Sequence, residues 1–129
     1  MIMLAILAPL ALIAQGPPPP ANPADEALVT FEALDLEQAA ALRCAVGFAL
    51  VSAWQTDGDA RGAAYPALAE EEAREFFVQT MAQLMDDLEL GRPGMLDLVA
   101  LQQVRFDERP ALLGEIMPAC LLMKRAAGL

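Results

Sequence analysis

The chain has no histidine. Its absence removes the side chain that titrates nearest neutral pH, the commonest general base and the commonest metal ligand. Serine and lysine occur once each in 129 residues, as Ser52 and Lys124. With no imidazole, neither a Ser-His nor a Cys-His nucleophile can be assembled. Covalent haem of the c type is excluded too, because no C-x-x-C-H is present. Aromatic residues make up only 5% of the chain, and β-branched residues never alternate over the length of a strand. Ala and Leu dominate a composition that is 57% hydrophobic. These features predict helices and no sheet.

Positive charge is also scarce. Eight Lys and Arg stand against 18 Asp and Glu, a net charge of −10, and the acids are spread along the chain. Such a chain repels phosphate backbones and anionic lipid surfaces, so nucleic acid is not an expected partner. A basic partner, or none, fits better. No catalytic, cofactor-binding or metal-binding signature is present, and no enzyme is expected.

An apolar run, Ile2 to Ala14 in "MIMLAILAPLALIAQ", opens the chain. About 13 residues is too short for a bilayer-spanning helix and suits the core of a signal peptide. Residues 1–14 are therefore expected to be a leader, cleaved after Ala14, with a periplasmic mature chain. The run lacks a preceding Lys or Arg, and Leu12 stands where a small residue is preferred. An uncleaved anchor is the alternative. "QGPPPPANPADEA" follows, and residues 15–30 are expected to be a disordered, Pro-rich linker.

Residues 31–129 are expected to form one all-α domain, a compact bundle of about four helices. The first runs from about Asp35 to Thr56, with Asp35 or Thr30 as cap and Glu37 in the first turn. Arg43 is its only charge between Glu37 and Asp57, which predicts a central helix that packs on all sides. An arginine near the middle costs ~2.5–3.5 kcal/mol on membrane insertion, so stable membrane insertion of the mature chain is not expected. Arg43 pairs with a carboxylate at the bundle edge on one view and marks an anion pocket on the other.

"QTDGDARGAAYPA" then breaks the helix. Asp57, Asp59 and Gly62 occupy positions 1, 3 and 6 of a calcium loop. Arg61 and Leu68, however, stand where ligand oxygens belong, so an ordinary acidic loop is predicted. A second helix from Ala67 to Leu90 carries Phe77, Met81, Leu84 and Leu88 on one stripe. Phe76 and Met85 widen that stripe. Glu70, Glu71, Glu72 and Glu75 suit a dipole-stabilised helix start better than a metal cluster. Gly91 and Pro93 are expected to end it. A third helix from Met95 to Glu108 is predicted to turn Leu98, Leu101 and Val104 inward. The last begins near Pro110 and is expected to kink or restart at Pro118.

Only two cysteines are present, Cys44 and Cys120, far apart and with no metal-binding partners. In an exported chain this pattern predicts one disulfide between the first helix and the C-terminal segment. It closes a loop of about 77 residues, worth roughly 4–5 kcal/mol on the chain-entropy account. In a reducing compartment the same residues read as two buried thiols.

Three segments, "LRCAVGFALV" at 42–51, "REFFVQTMAQLMDD" at 74–87 and "MPAC" at 117–120, follow a leader and a Pro/Ala linker. This order resembles that of small exported bacterial proteins with no known activity. The resemblance implies a helical fold and a periplasmic location, and no reaction. Size and a single disulfide are also similar to periplasmic acid-stress chaperones, without a shared motif. The expected role is a non-enzymatic structural or protein-interaction function. The alternative is a chaperone-like or envelope-stress binder that exposes its Met-rich and Leu-rich faces in acid.

Overall fold

Asp35 sets the frame of the molecule. Its carboxylate accepts from the Gln38 backbone N–H at 2.7 Å, while the Gln38 side chain accepts from the Asp35 N–H at 3.1 Å. This reciprocal pair starts the longest of five helices. In the computed structural model, which describes Gly16 and residues 22–129, these are α1 (Pro23–Ala33), α2 (Leu36–Asp57), α3 (Glu70–Leu88), α4 (Arg92–Glu108) and α5 (Ala111–Ala126). A short 3₁₀ turn, Ala60–Ala64, links α2 to α3. No strand occurs among the described residues. The all-α class is as expected; among the described residues the helix count is five instead of about four. The expected leader, 1–14, and most of the linker lie outside the described residues.

The extra helix is α1, in a stretch expected to be linker. Three local features make it helical. Asn22 caps it by accepting from the Ala24 N–H at 3.1 Å. Pro23 sits at the first position, where a missing N–H costs nothing. Asp25 and Glu26 fall in the first turn, where the helix dipole favours anions. α1 packs on α4, with Ala27 buried and Phe31 against the core. The Arg105 guanidinium lies 5.6 Å from the Phe31 ring centroid.

The long apolar α2 is the centre of the bundle, and α3, α4, α5 and the 3₁₀ turn all pack on it. By length and composition alone α2 could cross a membrane. Here it buries Leu42, Phe48 and Val51 completely, and Phe76 of α3 meets Phe48 edge-on at 5.2 Å. Phe76 is thus a core residue, while its neighbour Phe77 is only half-buried.

Two expected boundaries move. α3 ends at Leu88 because Glu89 turns into the left-handed region at φ 52°. Gly91 is extended and caps α4 instead of ending α3, and Pro93 lies in the first turn of α4. In α4 the buried residues are Met95, Leu98, Gln102 and Phe106; Val104, expected inward, is exposed. α5 runs without interruption through Pro118. Leu113, Met117 and Cys120 are buried on one side, at spacings of four and three, while Pro118 faces out. That packing outweighs the hydrogen bond that proline cannot donate.

Candidate functional site

Cys44 and Cys120 form a disulfide with Cα atoms 5.2 Å apart, joining the middle of α2 to α5. Both are buried, at 4% and 1% exposure. A buried disulfide among apolar side chains is structural, since exchange needs an approaching thiolate. Four residues further on, Lys124 donates to the Glu72 carboxylate at the start of α3. α5 is therefore held to α2 by a covalent bond and to α3 by an ion pair.

The acidic loop after α2 is organised by the side chain of Gln55. Its amide donates to the Gly62 carbonyl at 3.1 Å and to the Pro66 carbonyl at 2.9 Å. Its oxygen accepts from the Leu68 N–H at 2.9 Å. Gly62 sits so close that a Cβ there would lie 2.8 Å from the Gln55 backbone nitrogen. Arg61 supplies the positive charge inside this loop. Arg61 donates to both Asp59 oxygens, and its guanidinium lies 4.5 Å from the Trp54 ring centroid. The Arg61 side chain, then its backbone N–H, hold the Asp59 carboxyl down at about 2. Position 5 of the calcium-like pattern is thus the partner of position 3.

The glutamates at the start of α3 disperse to separate partners. Glu70 accepts from Arg74 at 3.1 Å, Glu72 from Lys124, and Glu75 from Gln79 at 2.8 Å. Among the described residues, no three Asp, Glu or Cys side chains gather closely enough to hold a metal ion. Arg43 forms no ion pair among the described residues, so the expected pairing with a carboxylate at the bundle edge is not seen.

An open apolar groove of about 350 Å³ lies between α3 and α4. Phe77, Met81 and Met85 line it from α3, and Met95 and Val99 from α4. Val78 and Leu96 stand on its two walls, each 54% exposed. Arg92 is the one charged residue in the lining. Met81 and Met95 are its buried floor and Met85 is half-buried at its edge, so unbranched thioethers that repack easily lie directly beneath the exposed walls. No nucleophile or acid lines it, so its chemistry is that of apolar contact. Its α3 wall lies on the stripe expected from the sequence, but the groove needs Met95 and Leu96 opposite. No family model matches this chain, and no curated protein or solved structure is significantly similar to it.

Proposed function

We propose that this chain is an exported, non-enzymatic helical domain that binds an apolar segment of a protein partner in the α3–α4 groove. Export is supported by the apolar run Ile2–Ala14 and by the Cys44–Cys120 disulfide, a bond that persists in oxidising compartments such as the periplasm. The order of segments shared with small exported bacterial proteins supports the same location. The observation that carries the binding role is the pair of half-exposed side chains, Val78 and Leu96, flanking three methionines. Grooves of this kind accept the apolar face of a helix. The net charge of −10 favours a partner of basic character and disfavours nucleic acid.

The test is site-specific photo-crosslinking in the native host, with the crosslinker at position 78 or 96 and, as control, at Leu122 on another face. A discrete adduct of one mass from positions 78 and 96, absent from position 122, supports the proposal. Adducts from all three, or from none, end it. Val78→Asp and Leu96→Asp should abolish the adduct, since a charge set in an apolar contact is costly. Because both positions are already half-exposed, the thermal midpoint should stay within about 2 °C.

The second role, a chaperone-like binder active in acid, is favoured by the adaptability of the Met lining. With 18 carboxylates against eight basic groups, the chain turns net positive once most carboxylates are protonated, near pH 4 and below. Suppression of aggregation of a reduced, unfolded client that rises between pH 5 and pH 3 supports this role. A monomer with no such activity across that range removes it.

A further inference from the structure

On the opposite side of α4 lies a second, larger cleft of about 590 Å³, between α1 and the start of α4. The residues of α4 that line it, Pro93, Gly94, Asp97 and Leu98, are offset around the helix from the groove residues Arg92, Met95, Leu96 and Val99. The apolar lining comes from Ala27 and Val29 of α1, with Pro93 and Leu98 opposite. Val29 is 68% exposed and Pro93 is exposed as well, while Ala27 and Leu98 form the buried floor beneath them.

Three carboxylates share the cleft: Asp25 and Glu26 from α1, and Asp97 from α4. The lining contains no lysine or arginine. Among the described residues none of the three forms an ion pair, although Glu70, Glu72, Glu108 and Glu115 elsewhere do. The dipole of α1 accounts for Asp25 and Glu26 in its first turn. It does not account for Asp97, which lies beyond the first turn of α4 and projects into the same space.

We infer that the α1–α4 cleft docks a basic amphipathic segment of a partner polypeptide. Its apolar side chains rest on Val29, Leu90 and Pro93, and its Lys or Arg side chains meet Asp25, Glu26 and Asp97. The volume is that of pockets that enclose small ligands, enough for a few side chains. Charge complementarity sets the sign of the occupant, and the apolar lining separates a peptide from a bare cation. Nucleic acid and anionic lipid carry the wrong sign. This proposal does not rest on the α3–α4 groove, and either surface can fail alone.

The test uses the full disulfide-bonded chain and two synthetic 12-residue peptides, one alternating Lys and Leu and the other Glu and Leu, with spermidine as a third probe. Binding is measured by calorimetry at low and at physiological salt. The Lys-Leu peptide should bind, more weakly as salt rises, and the Glu-Leu peptide should not. Neutralising the cleft with Asp25→Asn, Glu26→Gln and Asp97→Asn should weaken binding about tenfold, as three partly screened pairs imply. Val29→Asn should weaken it by about threefold through lost apolar contact. The control is Glu71→Gln, Asp86→Asn and Asp87→Asn, the same change in charge on the exposed side of α3, which should alter binding less than twofold. Circular dichroism confirms that each variant is folded. No binding by the native chain overturns the inference. So does equal weakening by the two triple variants, an unaffected Val29→Asn, or spermidine binding as tightly as the Lys-Leu peptide.

Discussion

Asp59 and Arg61 show how a residue that looks like a ligand is used up locally. The pair is largely exposed, but four hydrogen bonds from Arg61 converge on one carboxylate. Its folded pKa of about 2 lies below the ordinary 3.8. The stability this group contributes is therefore fully present above about pH 4 and is lost only as pH falls through about 2. In a carboxyl-detected NMR titration the Asp59 signal should titrate near 2, and Arg61→Met should return it toward 3.8. A midpoint unchanged by that substitution would mean that Arg61 does not hold the carboxyl. Gln55 does more for the loop. Gln55→Ala removes three hydrogen bonds to the 62–68 segment and should cost about 2 kcal/mol, read from denaturant unfolding. A single glutamine at the end of an apolar helix carries no signal in the sequence, so this organising residue was not legible. The warning that Arg61 stands in the wrong place for calcium was.

At the scale of the helix, Pro118 is the sharpest test. It sits on the exposed side of α5, where its missing N–H leaves the Gly114 carbonyl without its usual helical partner. Pro118→Ala should stabilise the protein by about 1–3 kcal/mol, seen as a higher denaturant midpoint with an unchanged slope. Destabilisation would show instead that the proline shapes the fit of Cys120 to α2. α2 and α3 were legible because their ends carry strong local chemistry: the Asp35–Gln38 box, the left-handed Gly58, and three glutamates in the first turn of α3. α1 was not, because a Pro-rich stretch with two acids resembles a linker until Asn22, Pro23 and the α4 surface act together. The run-through of Pro118 and the exposure of Val104 were not legible for one reason. Both depend on which side of a helix meets a neighbour, and tertiary packing overrides local preference. The same holds for the candidate site. The α3 wall follows from its helical stripe, whereas the opposite wall needs the register of α4.

For the whole molecule the disulfide is the dominant single constraint. It spans 76 positions and ties the central helix to the last one. Reduction, or Cys44→Ser with Cys120→Ser, should cost roughly 4 kcal/mol, most of it through the unfolded chain. For a domain of this size that lowers the thermal midpoint by roughly 15 °C or more in differential scanning calorimetry. A shift of only a few degrees would mean that the helices pack equally well without the bond. The pairing itself was legible from two cysteines with no competing chemistry. What it joins was legible only coarsely, because the expected break at Pro118 hid the continuity of α5.

Lys124 has a consequence for anyone who labels this protein. It is the only lysine, its side chain is 12% exposed, and its amine is engaged by Glu72. Lysine-directed crosslinkers and surface-immobilisation esters therefore find one shielded side-chain amine, and beyond it only the α-amino group of the chain. Carboxyl-directed coupling has many targets instead. The reactivity of that one shielded amine becomes a built-in reporter: it rises when α5 lifts away from α3 and stays silent while the C-terminal helix is seated.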